Sequence, residues 1–178
     1  FPLDTESPAI NYQLADLLLE NKSFGAAAVE YEKTAYDYPS HDKSSQAGYA
    51  AVCAYREDLA AAVPEGKDPI RREVVRSSLK FAETFPKHEK AAIVLGAAAD
   101  DLYGMKEYEQ ALAAANTLLE VFPDTDVDVI RSARLVIAHS SYELERYSEA
   151  ETAYLEVLAL LPTDDKTRDS LLDNLAAS

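Results

Sequence analysis

The chain has 178 residues, of which 48% are apolar and 28% charged, so it is long enough to build a core and too apolar to be disordered throughout. Its 17 basic and 32 acidic side chains give a net charge of −15, which argues against nucleic acid or an anionic membrane surface as partner, because both need basic surface. The single cysteine excludes an internal disulfide framework and a cysteine-based zinc site. The longest apolar stretch, Ala91 to Ala99, is about half a membrane span, so we expect no membrane insertion.

Every predicted element is a helix, because strong helix formers dominate and apolar residues recur at i, i+3, i+4 and i+7. No segment keeps the alternation of a strand, and prolines end the helices, since proline lacks an amide donor and fixes φ. In chain order the predicted helices span about 8–20, 24–37, 43–62, 69–84, 88–103, 107–121, 127–144, 147–160 and 165–176.

Short phrases recur along the chain at a fixed separation. An aromatic-x-x-Ala phrase stands 15 residues before a proline three times, in the pairs Phe24 and Pro39, Tyr108 and Pro123, and Tyr147 and Pro162. His41 and His88 occupy equivalent places after a proline, which predicts a shared capping role. Such self-similarity indicates stacked helical hairpins. We expect one domain over 1–178, with repeats at about 8–39, 43–86, 88–123 and 127–162, a longer hairpin loop at 63–69 and a capping helix at 165–176.

The repeat resembles the tetratricopeptide repeat, and the fourth copy carries the likeness through Ala138, Leu144, Tyr147, Ala150, Tyr154 and Pro162. The chain departs from that pattern at the turn glycine, which is replaced by Lys22, Lys106 and Glu145. In the second repeat Val74 and Ser78 stand where Ala and an aromatic residue are usual. The resemblance implies an all-α fold, a right-handed α–α superhelix of about four hairpins, whose concave face holds another polypeptide.

In that architecture the first helix of each hairpin lines the concave face. The corresponding positions, repeat by repeat, are Tyr12, Asp16 and Leu19; Tyr49, Cys53 and Arg56; Gly96, Asp100 and Tyr103; and Leu135, His139 and Tyr142. We predict partner contact through Tyr12, Asp16, Tyr49, Arg56, Asp100, Tyr103, His139 and Tyr142. Tyrosine offers flat contact area and a hydroxyl at low entropic cost. Two interpretations are open for each of these tyrosines, since it can face the groove or pack inside its hairpin.

The sequence offers little catalytic chemistry, since neither a phosphate-binding glycine motif nor Gly-x-Ser-x-Gly is present. Asp124, Asp126 and Asp128 alternate like the start of a calcium loop, but the glycine and glutamate that such a loop needs are missing, so we expect an acidic helix start. Cys53 lies in an alanine-rich helix and is expected to be buried. We therefore predict a protein that is not an enzyme and uses no cofactor or metal.

Two features keep alternatives open. Arg72, Arg76 and Lys80 share one helix face, so they can pair with neighbouring glutamates or dock an acidic partner. The Tyr-Pro and Phe-Pro endings resemble tetratricopeptide lipoproteins and periplasmic proteins of the Gram-negative envelope, and the start at Phe1 has neither signal peptide nor initiator Met, as expected for a processed or excised chain.

We accordingly expect a scaffold that binds a protein or peptide, and the negative charge of the chain favours a basic partner. An envelope assembly factor in the periplasm is the alternative, with the cytoplasm as the other compartment. A regulatory or catalytic arm of an enzyme is the third hypothesis. The sequence leaves the oligomeric state open.

Overall fold

The computed structural model describes residues 7–161 and Leu172. Over 7–161 it contains α-helices and one 3₁₀ turn, at Pro64–Gly66, and no strand, so the predicted all-α class is confirmed. The helices are α1 (Ser7–Glu20), α2 (Phe24–Tyr36), α3 (Ser44–Ala61), α4 (Lys67–Thr84), α5 (Ala91–Gly104), α6 (Tyr108–Val121), α7 (Val127–Glu143) and α8 (Tyr147–Leu160). The predicted capping helix at 165–176 lies outside the described residues, apart from Leu172, which is helical and 46% exposed.

The chain divides into two compact units, residues 1–91 (unit 1) and 92–178 (unit 2). In unit 1, α2 packs against α1 and α3, and α3 also packs against α4. In unit 2, α7 packs against α6 and α8, and α5 approaches α6 where Gly96 meets Leu118. Each unit therefore consists of helical hairpins, and the prediction of one repeat domain over 1–178 stays a prediction.

Alanine dominates the buried contacts of both units. The core of unit 1 contains Ala15, Ala27, Ala28, Tyr31, Ala51, Ala54, Tyr55 and Val74. The core around α7 and α8 contains Ala138, Ala150, Ala153, Tyr154, Val157, Leu158 and Leu161. Small side chains let helix axes approach to about 8 Å, at the close end of the usual range, and the buried tyrosines fill the remaining space.

Three hairpins turn through the same backbone motif. The residue in the left-handed region is Lys22, Lys106 or Glu145, with φ of 59°, 63° and 60°. At the first turn Ser23 N–H donates to the Leu18 carbonyl at 2.8 Å and Lys22 N–H donates to the Leu19 carbonyl at 2.9 Å, which is the Schellman pattern. These are the positions where the repeat family has its turn glycine, and a side chain there is strained because Cβ crowds the following carbonyl.

The equivalent histidines His41 and His88 make the same local contact. The Nδ1 atom of each accepts a backbone N–H two residues ahead, from Lys43 at 3.3 Å and from Lys90 at 3.2 Å. Because Nδ1 of His41 accepts, the ring hydrogen lies on Nε2, which donates to the Thr34 carbonyl at 3.0 Å. The two histidines therefore have equivalent roles in the links, as their symmetry predicts, but the N–H that each accepts precedes its helix, and α3 has no side-chain cap.

Helix starts differ slightly from the sequence prediction. α5 begins at Ala91 and not at residue 88, because residues 88–90 form the turn that His88 caps. The acidic start of α7 is confirmed, since Asp126 is its N-cap and accepts the Asp128 N–H at 2.8 Å. The prediction for Cys53 is wrong: its side chain is exposed, because the buried stripe of α3 runs through Ala51, Val52, Ala54 and Tyr55.

Candidate functional site

The predicted face residues of α1 form a polar group around a buried tyrosine of α2. The Tyr31 hydroxyl donates to Oδ1 of Asp16 at 2.5 Å, and the rings of Tyr31 and Tyr12 meet edge to face with centroids 5.3 Å apart. Burial and the Asp16 carboxylate raise the pKa of Tyr31. Asp16 and Tyr12 are therefore held in place by the core of their own hairpin.

The face residues of α3 have other neighbours. The Tyr49 ring packs near Phe81, with centroids 5.9 Å apart, and near His88, at 5.5 Å. A hydrogen bond with Cys53, and then burial, raise the pKa of Tyr49. Arg56 is partly buried on the same helix. Tyr49 thus belongs to a different ring group from that of Tyr12.

A groove of 620 Å³ opens where α4 ends. Its lining is Ser45 and the link residues Thr84, Phe85, Pro86, Lys87, His88 and Glu89. His88 is engaged in capping the turn before α5, as described above. The groove lining consequently offers no cluster of chemical groups beyond those that build the link.

The basic stripe of α4 is used inside unit 1. The guanidinium of Arg76 donates to Glu32 of α2 and to Glu73, each at 2.8 Å, and it lies near the Tyr55 ring. Lys80 Nζ lies 3.8 Å from the centre of the Tyr36 ring. Of the two interpretations left open by the sequence, these contacts favour internal pairing.

In unit 2, the face residues Tyr103 and His139 lie together. Their ring centroids are 5.8 Å apart, and the hydroxyl of the buried Tyr154 lies 2.8 Å from Nδ1 of His139. Burial lowers the pKa of His139, an effect that Glu143 partly opposes. Burial and, to a smaller extent, the neighbours Tyr103, Tyr142 and Glu143 together raise the pKa of Tyr154 to about 12.

Two equivalent tyrosine pairs span the hairpin turns of unit 2. Tyr103 at the end of α5 lies 5.6 Å from Tyr108 at the start of α6, between ring centroids. Tyr142 near the end of α7 lies 5.7 Å from Tyr147 at the start of α8. Tyr142 and Tyr147 are 36% and 45% exposed, so this end of the unit offers aromatic surface to a partner.

Glu143 lies among these rings. It follows Tyr142 on α7 and lies one turn after His139, and its charge adds to the larger effect of burial that raises the pKa of Tyr103 and of Tyr108. We define the tyrosine cluster as the residues gathered here, namely Tyr103, Tyr108, His139, Tyr142, Glu143, Tyr147 and Tyr154.

Asp100, the remaining face residue of α5, contacts α7. Its Oδ2 accepts a hydrogen bond from the Ser132 hydroxyl at 3.4 Å. Burial and the adjacent Asp101 raise the pKa of Asp100, and the Ser132 bond opposes that rise. Asp100 therefore adds negative charge to the α5 and α7 face, one turn before Tyr103.

The repeat register predicts Tyr103, His139 and Tyr142 as face residues but not the other members of the cluster. Tyr108, Tyr147 and Tyr154 are predicted only as repeat positions, and Glu143 is not among the predicted face residues. The repeated spacing Tyr-x₄-Tyr across each turn was the available signal, because a hairpin turn brings both ends together. The assignment of all eight predicted face residues to partner contact stays a prediction.

Over the described residues no group of three or more His, Cys, Asp or Glu side chains is arranged to hold a metal ion. None of the described helices combines the length and the apolar character that a membrane crossing requires.

Comparison with known proteins identifies the repeats. A family model described as tetratricopeptide repeat matches residues 97–165, a segment that includes most of α5 and all of α6, α7 and α8. No curated protein matches the chain. The tyrosine cluster falls within the matched segment. The match supports the tetratricopeptide resemblance over residues 97–165, whereas the likeness to envelope lipoproteins stays a prediction.

Proposed function

We propose that the chain is a protein-interaction scaffold whose first-helix faces bind a partner polypeptide, with the tyrosine cluster of unit 2 as its principal anchor. Tetratricopeptide repeats generally mediate protein–protein interaction, and they are typically non-catalytic. The observation that carries this proposal is the partly exposed aromatic surface at the ends of α5 and α7. Aromatic side chains dominate binding energy at protein interfaces because they bury large rigid areas.

The residues that carry the anchor are held by the fold before a partner arrives. Tyr154 packs edge to face against His139, with centroids 5.4 Å apart, and Tyr103 lies against His139 in turn. These rings therefore lose less conformational entropy when a partner binds, which favours affinity. The acidic charge of the chain favours a basic partner through long-range attraction.

A peptide-display selection against the 178-residue chain tests this function. Selected peptides should bind the wild type and bind at least tenfold more weakly to the triple variant Tyr49→Ala, Tyr103→Ala and Tyr142→Ala. Each anchor residue at an interface contributes more than about 1 kcal/mol to binding. Tyr38→Ala, in the link between α2 and α3, is the control. Unchanged binding by a folded triple variant would refute the proposal.

The proposal extends to the compartment in which the protein acts. The resemblance to envelope proteins supports a periplasmic assembly role, with the soluble repeats on this chain. Sequencing the gene upstream of the Phe1 codon tests this compartment. A signal peptide encoded there supports the envelope, and an in-frame coding sequence for a cytoplasmic protein contradicts it.

A further inference from the structure

Three aromatic rings of unit 1 are already covered by cations of that unit. Lys43 Nζ lies 4.9 Å from the centre of the Tyr12 ring, and Lys80 Nζ lies 3.8 Å from that of Tyr36. The Arg76 guanidinium carbon is 5.9 Å from the Tyr55 ring centre and donates to a carboxylate of Glu32. A cation within about 6 Å of a ring centre is attracted by the ring's electrons, so these rings are satisfied within the fold.

Unit 2 shows the opposite arrangement over its described residues, 92–161. Four basic and thirteen acidic side chains occur there, and no cation lies over a ring. Arg131 pairs with Asp128, and Arg134 pairs with Glu156. The other two basic residues, Lys106 and Arg146, are exposed in the turns next to the tyrosine pairs.

Glu143 lies next to these uncovered rings. Within the described part of the chain no basic side chain forms an ion pair with Glu143, whose side chain is exposed at the end of α7, one turn after His139. The ring centroids of Tyr103 and Tyr108 are 5.6 Å apart, and the side chain of Tyr142 is 36% exposed. A carboxylate near aromatic rings matches a guanidinium, which can stack on an aromatic ring while it donates to a carboxylate.

We propose that Glu143 and the rings of Tyr103 and Tyr108 bind an arginine side chain of the partner polypeptide, so that unit 2 selects arginine-bearing segments. This proposal rests on the proposed function and names its partner chemistry. In unit 1 the face tyrosine Tyr12 is already covered by Lys43 and is not open to the same side chain. Charge complementarity supports the choice of occupant, since acidic side chains outnumber basic ones in the described part of unit 2.

Binding of a synthetic peptide to the full chain tests the preference for arginine. The probe has twelve residues of alternating Arg and Ser with a terminal Trp, and the comparison peptide has Gln in place of each Arg. Because the 178-residue chain contains no Trp, the change in fluorescence anisotropy reports the peptide alone. We expect the Arg peptide to bind at least tenfold more tightly than the Gln peptide, and equal binding overturns the proposal.

Matched variants separate a specific site from general charge attraction. Glu143→Gln should weaken binding of the Arg peptide about tenfold, the loss expected for one desolvated charge pair with its ring contacts. Glu151→Gln on α8 removes the same charge from an exposed position and should change affinity less than twofold. If the two variants weaken binding equally, the peptide senses net charge only and the proposal is wrong.

Ring variants complete the test. Tyr103→Leu should weaken binding about fivefold to tenfold and Tyr103→Phe should retain it, because phenylalanine keeps the ring face. Tyr12→Leu in unit 1 should leave affinity unchanged, and a loss there equal to that of Tyr103→Leu contradicts the assignment to unit 2. Peptides from the display selection distinguish the two proposals. Selected peptides that depend on Tyr103 but lack arginine overturn this inference and leave the scaffold function standing.

Discussion

The hydroxyl of Tyr154 lies 2.8 Å from Nδ1 of His139, and the same relationship joins Tyr31 to Asp16 in the first repeat. In both hairpins the two residues are 15 apart, one on the first helix and one on the second. The tyrosine is buried in the core while its hydroxyl reaches a residue of the proposed binding face. One side chain thus couples core packing to the geometry of the face.

Removing these hydroxyls should destabilise the two hairpins unequally. Tyr31→Phe should lower the free energy of unfolding by about 1.5–2 kcal/mol and Tyr154→Phe by about 1 kcal/mol, because hydrogen bonds to a charged acceptor are stronger. Urea unfolding followed by circular dichroism measures both. Tyr147→Phe, whose hydroxyl is on an exposed side chain, is the control and should change stability by under about 0.5 kcal/mol. A larger loss for Tyr154→Phe than for Tyr31→Phe would contradict this explanation.

His139 should make stability depend on pH. Burial lowers its pKa in the folded chain, so the unfolded chain binds the proton more readily. Its contribution is fully present above the unfolded value of about 6.5 and is lost as pH falls from there toward the lower folded pKa.

Comparing urea midpoints at pH 7.5 and pH 5 for wild type and His139→Gln isolates this effect, since every other titrating group is shared. The wild type should lose more stability than the variant over that interval. An equal loss in both proteins would show that His139 does not titrate abnormally.

Glycine at a left-handed turn should stabilise the chain. Lys22→Gly and Lys106→Gly should each raise the free energy of unfolding by about 0.5–1 kcal/mol, because glycine relieves the Cβ strain at positive φ but gives the unfolded chain more freedom. Thermal unfolding reports the gain. Lys87→Gly, at an exposed turn position without positive φ, is the matched control and should lose stability. If all three variants lose stability, the side chains at positive φ are not strained.

Two buried serines differ in whether their hydroxyl has a partner. Ser44 accepts the His41 N–H at 3.0 Å, whereas the hydroxyl of Ser78, fully buried in α4, has no hydrogen-bond partner among the residues that the structure describes. Ser78→Ala should therefore stabilise the chain by about 1 kcal/mol, and Ser44→Ala should destabilise it by about the same amount. Urea midpoints check the opposite signs, and a loss for both variants would show that Ser78 is satisfied in solution.

Gly48 marks the closest approach inside unit 1. A methyl group there would lie 2.9 Å from Cε2 of Phe85 and 3.1 Å from the hydroxyl oxygen of Tyr36. Gly48→Ala should cost about 1–3 kcal/mol through overpacking, whereas Gly66→Ala should not destabilise the chain, since nothing lies within 4 Å of its added carbon. The thermal midpoints of both variants decide this, and similar midpoints would contradict the close contact.

Much of the candidate face followed from repeat register, because equivalent positions of stacked hairpins share their orientation. Tyr103, His139 and Tyr142 were identified in this way. The intramolecular contacts of these helices could not be identified in this way. Lys43 of the next repeat lies over the Tyr12 ring, and Arg76 pairs with Glu32, which is 44 residues away in the chain. Such pairings depend on which side chains two helices bring together, and the pattern along one helix does not encode them.

The positions of the helices, their hairpin pairing, the histidine contacts in the links and the acidic start of α7 could be predicted from the sequence, because they depend on apolar periodicity, proline positions and contacts within a few residues. Other features could be seen only in the packed helices: Cys53 is exposed, the hydroxyl of Ser78 has no partner among the described residues, and cations lie over the rings of Tyr12, Tyr36 and Tyr55 in unit 1 but over none of the rings described in unit 2. These outcomes depend on side chains from separate helices, whose distances are fixed when the helices pack.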